Sequence, residues 1–137
     1  MSNKTLYTLR YSAFIVYIVF LSCNSTQEKQ YDVSIEVTAT AYNSVENQTK
    51  KGNIGLTAWG DTLVPGEKAI AVSRDLIKKG LTHNTKVEIE GQDGIYIVKD
   101  KMNKRWSKKI DIYFGTNENA AKEWGKQKVE IKFDTIN

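Results

Sequence analysis

Asp100 and Asp111 are the residues of this chain whose type and spacing best suit chemistry, because both carboxyl groups lie beside strand-forming sequence. Asp100 follows the apolar run 95–98, and Asp111 is flanked by Ile110 and Ile112. Burying a charge without a partner is costly, so such an acid is either a liability or a functional group. We expect both acids at strand ends on either side of one loop. Two carboxyl groups that face a common cleft there can donate and accept protons.

The basic loop, residues 101–109 between the two acids, is rich in positive charge. Six basic residues surround the acid pair: Lys99, Lys101, Lys104, Arg105, Lys108 and Lys109. A solvated lysine-rich connection is the alternative interpretation of this run. The net charge of the 137 residues is +4, and without Lys4 and Arg10 the 20 basic residues become 18 against 16 acidic ones, leaving +2. That balance gives no argument for nucleic acid as a partner.

The N-terminal segment has the composition of an export signal. Two basic residues precede twelve mostly apolar residues, 11–22, which are too few to cross a bilayer comfortably. The run ends in a Leu-Ser-Cys sequence at Cys23 that resembles the bacterial lipoprotein signal, although Phe20 stands where an aliphatic residue is usual. We predict a signal peptide over residues 1–22 and lipidation of Cys23. An uncleaved anchor helix is the alternative.

Both interpretations place the protein in the cell envelope, outside the cytoplasm and anchored to a membrane. Lipid chains on Cys23 would supply that anchor. Because Cys23 is the only cysteine, no intramolecular disulfide can form. Residues 23–31 are predicted to be the lipidated cysteine and a polar tether, and residues 32–137 a single domain.

Hydrophobic alternation predicts that this domain is mainly β. Strands are expected at 33–42, 69–72, 86–90, 95–98, 110–114 and 128–133, with a long loop over 43–67. A turn over 91–94 makes the third and fourth strands a hairpin. Ser73 is expected to cap a helical turn closed by Gly80, and Thr116 or Asn117 a second helix ended by Gly125. Six short strands with one or two short helices indicate a small closed barrel.

A set of short segments, none specific alone, follows a characteristic order over nearly all of residues 36–133. The segments are Thr38-Ala39-Thr40-Ala41-Tyr42, Thr57 with Gly60, Ala69-Ile70-Ala71-Val72-Ser73-Arg74-Asp75, residues 77–80 before 85–91, Asp100, Lys109-Ile110-Asp111-Ile112-Tyr113, and residues 120–125 before a final strand. This order resembles the three-aspartate (3D) domain, a family related to the catalytic barrel of membrane-bound lytic transglycosylase A and to resuscitation-promoting-type cell-wall enzymes. The resemblance implies a six-stranded double-psi β-barrel, with Asp75, Asp100 and Asp111 as the three aspartates.

The resemblance also implies an activity. Such enzymes cleave the β-1,4 bond between N-acetylmuramic acid and N-acetylglucosamine in peptidoglycan and leave a 1,6-anhydro product. By this resemblance Asp111 is the single acid and base, and Asp100 orients or polarises the site. One carboxyl group can serve twice because it first protonates the leaving oxygen and later accepts the hydroxyl proton. No second carboxylate nucleophile is required, unlike in ordinary retaining hydrolases.

Further residues are assigned to substrate binding by the same resemblance. Thr40 and Tyr42 would line the sugar cleft, Tyr113 would stack on a sugar face, and Asp75 would complete the acid set. Trp106, in the basic loop, offers a second stacking surface. The expected partner is a peptidoglycan glycan strand, and we expect a monomer that needs no cofactor. A histidine-type metal site is not expected, because the only histidine lies in a polar turn without a cysteine or histidine partner.

The chain departs from the family pattern in the basic loop, where related domains carry a glycine-rich run. Glycines there would let sugar approach the backbone, whereas lysine and arginine offer charge to peptide or lactyl carboxylates. Nearby cations lower a carboxyl pKa, while a general acid needs its pKa raised by burial. Asp111 must therefore be buried enough to outweigh the lysines.

Structural alternatives stand beside each of these assignments. Asp75 would be a helix cap or salt-bridge partner, and Asp100 would end a strand or hold a loop by accepting backbone amides. Trp106 would cover the open end of the barrel, and Trp59 and Trp124 would be core or rim aromatics. For the whole protein, the alternatives are a non-catalytic glycan-binding module and a structural envelope lipoprotein.

Overall fold

The computed structural model describes residues 28–44 and 55–135, which form a closed barrel of six strands with two short helices. The strands are β1 Val33–Tyr42, β2 Ala69–Val72, β3 Lys86–Ile89, β4 Tyr96–Lys101, β5 Lys109–Tyr113 and β6 Gln127–Phe133. The helices are α1 Arg74–Ile77 and α2 Glu118–Trp124. All six predicted strands and both short helices are thus confirmed, and the predicted hairpin of β3 and β4 pairs antiparallel.

The strand order around the barrel is β1-β5-β2-β4-β3-β6. Two neighbouring pairs are parallel, β1 with β5 and β2 with β4, and the remaining pairs are antiparallel. Parallel neighbours need a crossover connection rather than a tight turn, so the chain must pass over the barrel between them. In this order β2 lies between β4 and β5, so the strands that carry the two acids are two positions apart.

Side-chain alternation explains which face of each strand is buried. In β2, Ile70 and Val72 point into the barrel core, while Ala69 packs outside it against Leu63 and Tyr113. The core holds aliphatic residues from every strand together with the aromatic residues Tyr96 and Phe133. Its aliphatic members include Val37, Ile70, Val72, Val87, Val98, Ile110, Ile112 and Ile131. The faces turned away from this core are free to carry polar groups, and both acids lie on them.

The two helices differ in how they begin. Ser73 occupies the N-cap position of α1, but its hydroxyl makes no cap bond and instead accepts the amide of Lys109 at 3.0 Å. Asn117 caps α2 as predicted, because its Oδ1 accepts the amide of Ala120 at 3.0 Å. Trp124 in α2 and Trp59 are partly buried against the core, which confirms the structural interpretation of both.

Several sequence predictions fall outside the part of the chain that the structure describes. The signal peptide over 1–22, the lipidation of Cys23 and part of the 43–67 loop belong to this group. Within the described ranges, no helix is both long and apolar enough to span a bilayer.

Candidate functional site

Four residues from four adjacent strands form a row across the barrel wall. Thr40 of β1 is paired with Asp111 of β5, Asp111 with Ala71 of β2, and Ala71 with Asp100 of β4. Neighbouring strands are ~4.8 Å apart, so the two acids are separated by roughly 10 Å of backbone. Since Ala71 has only a methyl group, the space between the carboxyl groups stays open.

The strand positions of the acids differ from the sequence prediction. Asp111 is the middle residue of β5, and Asp100 is the fifth of six residues in β4, so neither acid lies at a strand end. The pairing of β2 with β4 shifts register between Ile70 and Ala71. Such a bulge re-aims side chains, and this one brings Asp100 level with Ala71.

Both acids line one cavity of about 250 Å³, the first cavity. Its lining residues are Tyr42, Ala71, Asp100, Lys101, Met102, Asn103, Trp106 and Asp111. Four of the predicted site residues therefore meet here: the two acids, Tyr42 and Trp106. Thr40 reaches the same place through its hydrogen bond to Asp111.

Asp111 combines burial with one directed hydrogen bond. The hydroxyl of Thr40 donates to Asp111 Oδ1 at 2.9 Å. Burial raises the pKa of the Asp111 carboxyl above its ordinary value; the Thr40 hydrogen bond and Lys109 oppose this rise, and Asp100 adds to it. Burial outweighs the lysine, which is the condition that the sequence sets for a general acid.

Asp100 accepts hydrogen bonds from backbone amides as well as lining the cavity. Its Oδ1 accepts the amide of Ala58 at 2.7 Å and that of Lys101 at 2.8 Å. Ala58 belongs to the 55–63 loop, which is closed by a bridge between Leu56 and Thr62. Asp100 therefore holds this loop against the barrel, as the amide-acceptor alternative expected, and it still faces the first cavity.

Tyr42 brings a phenol to the acid pair. Its hydroxyl is buried and has no hydrogen-bond partner among the described residues. Burial, followed by the charges of Asp100 and Asp111, raises the pKa of Tyr42 far above its ordinary value. The phenol is therefore a neutral donor, and a substrate oxygen that entered the cavity could accept its hydrogen.

Tyr113 supports Tyr42 instead of offering a free ring. The two ring centroids are 5.3 Å apart with a tilt of 44°, and the Tyr113 hydroxyl lies 2.8 Å from Ser44 Oγ. Only 4% of Tyr113 is exposed, so little of its ring is left for the sugar that sequence reasoning placed on it.

A second cavity of about 200 Å³ adjoins the first. Among the described residues it is lined by Tyr42, Asn43, Ser44, Gly55, Leu56, Thr57, Leu63, Asp100 and Tyr113. Tyr42 and Asp100 line both cavities. An elongated ligand could therefore extend from one cavity into the other past this pair.

Asp75 lies away from both cavities and fastens the basic loop. Its Oδ2 accepts the Lys108 amide at 2.9 Å and the Ser107 hydroxyl at 3.1 Å. Lys108 has a φ of +46°, a left-handed conformation that is uncommon for a side chain of this kind. Burial alone raises the pKa of Asp75, but hydrogen bonds from Ser73, Lys108 and Ser107 together bring it below its ordinary value.

Replacing Asp75 with asparagine should lower stability by about 1–3 kcal/mol, because the Lys108 amide loses a charged acceptor. A lowered folded-state pKa gives stability that is present above the unfolded pKa, near 3.9, and is lost as pH falls through the folded value. The Tm difference between wild type and Asp75→Asn should therefore be largest near pH 7 and shrink below about pH 4. Thermal unfolding at pH 7 and pH 3 measures it, and a pH-independent difference contradicts the assignment.

Two cationic side chains lie against Trp106 at the rim of the first cavity. The Trp106 ring lies 3.7 Å from Lys109 Nζ and 5.0 Å from Arg105 Cζ, and 39% of the residue is exposed. Trp106 therefore borders the first cavity with positive charge held against it, which is compatible with a part in ligand binding.

Sequence reasoning missed two features of the site. Ala71 separates the acids, and its only sequence signal is the alternation of alanine with larger residues in Ala69–Val72. His83 pairs with Asp61 and lies 5.0 Å from the Trp59 ring, so it fastens the 55–63 loop to the barrel. Within residues 28–44 and 55–135, no three acidic, histidine or cysteine side chains are grouped to hold a metal ion.

Comparisons with known proteins concern the family and the fold. The model of the 3D domain family matches residues 68–137. Among solved structures, the expansin of Clavibacter michiganensis without ligand is similar, with a TM-score of 0.50 and 16% identity over 74% of this chain and 50% of that expansin. A Streptomyces papain inhibitor has a TM-score of 0.51 and 16% identity over 78% of this chain and 99% of the inhibitor.

These likenesses show the fold, and they confirm the predicted double-psi β-barrel. The chain spans about half the length of the expansin that it matches. A mutant of that expansin in complex with cellohexaose has a TM-score of 0.48. No curated protein matches the chain.

Proposed function

This chain belongs to the 3D domain family, and on that premise we propose that it is a lytic transglycosylase acting on the glycan strands of peptidoglycan. The observation that carries the proposal is the acid pair on one cavity, in which burial raises the pKa of Asp111. A buried carboxyl group with a raised pKa, beside a second carboxyl group, is suited to acid-catalysed cleavage of a glycosidic bond.

In this proposal Asp111 performs both proton transfers. Its carboxyl proton passes to the glycosidic oxygen as the bond from C1 of N-acetylmuramic acid breaks, which frees the N-acetylglucosamine hydroxyl. The 6-hydroxyl of the muramic residue then attacks C1, and its proton returns to the Asp111 carboxylate. The enzyme is regenerated, no water is consumed, and the product is a 1,6-anhydro sugar.

The neighbours of Asp111 have separate tasks. Thr40 fixes one oxygen of the carboxyl group by its hydrogen bond, which leaves the other oxygen for the substrate. Asp100, which lines the same cavity, would stabilise positive charge that develops on the sugar ring. The Tyr42 hydroxyl, which lacks a partner among the described residues, would donate to a sugar oxygen.

The place of action follows from the proposed N-terminal processing. Lipids on Cys23 would hold a monomeric barrel at the envelope membrane, and the tether would let it reach the adjacent cell wall. This part of the proposal rests on the sequence of residues 1–23 alone.

Digestion of purified sacculi tests the activity. We expect the protein to release muropeptides that end in 1,6-anhydromuramic acid, identified by mass spectrometry from the absence of one water relative to the hydrolytic product. Products with a free reducing end would contradict the transglycosylase mechanism. Release no faster than in a protein-free control would contradict the enzyme.

A non-catalytic glycan-binding module is the second candidate, and the basic loop is the observation that favours it. Lys109 opposes the rise in pKa that burial gives Asp111, so it disfavours the protonated form that a general acid needs. A sacculus pull-down separates the candidates: retention without anhydro products supports the binding module. A protein that is not retained fits neither, and a structural envelope lipoprotein would then be favoured.

A further inference from the structure

The first cavity has a positively charged rim beside its two acids. Lys101 lines the cavity, while Arg105 and Lys109 lie against Trp106 at its edge. None of these three cations forms an ion pair with an acidic residue of the described ranges. Lys109 acts on Asp111 through space and opposes the rise of its pKa, but no contact ion pair with a described acid holds any of the three cations, so each can still approach an anionic ligand.

Aromatic rings hold these cations in place. Lys109 Nζ lies 3.7 Å from the Trp106 ring centroid, and Lys101 Nζ lies 5.7 Å from that of Trp59. A cation–π contact restrains a long side chain without neutralising its charge, so less conformational entropy is lost when an anion binds. The loop itself is restrained, because Asp75 holds Ser107 and Lys108.

The charge is also placed unevenly along the path of a ligand. The two cavities meet at Tyr42 and Asp100, and the basic loop borders only the first of them. The described lining of the second cavity contains no basic residue. A ligand that spans both cavities should therefore carry its anionic group on the Trp106 side.

We propose that the Trp106 side of the first cavity is a subsite for a carboxylate-bearing substituent of the glycan. This inference rests on the proposed function and specifies its substrate. Of the two sugars in peptidoglycan, only the muramic residue bears a lactyl group, whose carboxyl group is either free or joined by an amide bond to a peptide stem that carries its own carboxylates. The muramic residue then lies beside Lys109 and Asp111, with a neutral sugar extending past Asp100 toward the second cavity.

Calorimetric titration of the full chain in detergent tests the subsite. Asp111→Asn serves as the background, so that no ligand is cleaved during the experiment. The ligands are a peptidoglycan tetrasaccharide with its peptide stems, the same fragment with its carboxylates converted to amides, and the neutral tetramer of N-acetylglucosamine. We expect the carboxylate fragment to bind roughly 10-fold more tightly than its amide, as charge-assisted hydrogen bonds allow.

Two lysine variants locate that preference. Lys109→Gln should remove most of the 10-fold difference between the carboxylate fragment and its amide. Lys86→Gln is the matched control, because Lys86 is exposed, forms no ion pair with a described acid, and begins β3, three strands from β5 in either direction around the barrel. It should leave the preference unchanged.

The outcomes separate this inference from the proposed function. Equal binding of the carboxylate fragment and its amide overturns the subsite, while glycan binding itself still stands. An equal loss of preference in Lys109→Gln and Lys86→Gln also overturns it, because the effect is then one of overall charge. If none of the three ligands binds, the proposed function fails and the subsite fails with it.

Discussion

Replacing Asp111 with asparagine should lower the rate of anhydro-product formation by roughly 10²–10⁴-fold, the usual contribution of a general acid. Asparagine has nearly the same shape and can still accept the Thr40 hydroxyl, so the cavity should keep its form. It cannot give a proton to the glycosidic oxygen, and it cannot take one from the 6-hydroxyl. Both steps that the proposal assigns to Asp111 are therefore lost together.

The same substitution should make the folded protein more stable at neutral pH. The folded-state pKa of Asp111 is raised by burial, so its stabilising contribution is present below the unfolded pKa and is lost as pH rises through the folded value. Asparagine carries no charge at any pH and avoids this loss. We expect a gain of about 1 kcal/mol, or a Tm rise of roughly 4 °C, near pH 7. The gain should disappear below about pH 4, where both forms are neutral.

Product analysis by mass spectrometry and thermal unfolding between pH 3 and pH 8 measure the two effects on the same preparations. Asp93→Asn is the control, because Asp93 is an exposed turn residue remote from the acid pair in the barrel wall. It should change neither activity nor the pH dependence of Tm. An active Asp111→Asn protein would exclude Asp111 as the acid. A Tm that falls at pH 7 would contradict a folded-state pKa of Asp111 that burial raises.

Most of the fold was predictable because each strand has a local sequence pattern that indicates it. Alternation over Val33–Tyr42 and Gln127–Phe133 reflects strands with one buried face, and the turn between β3 and β4 defines their hairpin. These signals depend on side chains two residues apart, so they survive in a single sequence. The closure of six strands into a barrel followed from their number and short length.

The order of strands around the barrel was not readable from local pattern. The placement of β2 between β4 and β5 depends on pairings between residues about 30 to 40 positions apart. The register shift beside Ala71 is a further non-local feature. Sequence reasoning consequently placed the acids at strand ends across one loop, whereas they face each other across an intervening strand.

The sequence predicted which residues form the candidate site better than it predicted the role of each one. Asp100, Asp111, Tyr42 and Trp106 do meet at one cavity. Asp75 has the same residue type, but its partners are the amide of Lys108 and the hydroxyl of Ser107. No sequence signal distinguishes an aspartate that holds a loop from one that faces a substrate, because that difference depends on which backbone amides lie nearby.

Ala71 leads to the second large expected effect, because its small size keeps the acids accessible. Replacing it with leucine should lower anhydro-product formation by at least roughly 100-fold, the loss that misplacing a substrate by about 1 Å can cause. The added atoms would lie in the row between Asp111 and Asp100, where the first cavity is open. Glycan binding should weaken as well, whereas Asp111→Asn should leave binding largely intact.

The stability of the leucine variant decides how this loss is interpreted. Ala71 is only 7% exposed, yet its side chain lies on the cavity face and not among the core residues Ile70 and Val72. The larger side chain should therefore enter the cavity without overpacking the core, at a cost of about 1 kcal/mol or less, below the usual cost of overpacking. Ala71→Ser is the matched control, since it adds one atom and should retain most of the activity. Normal activity in Ala71→Leu would mean that the substrate does not pass between the acids, and a collapsed Tm would mean that Ala71 packs as a core residue.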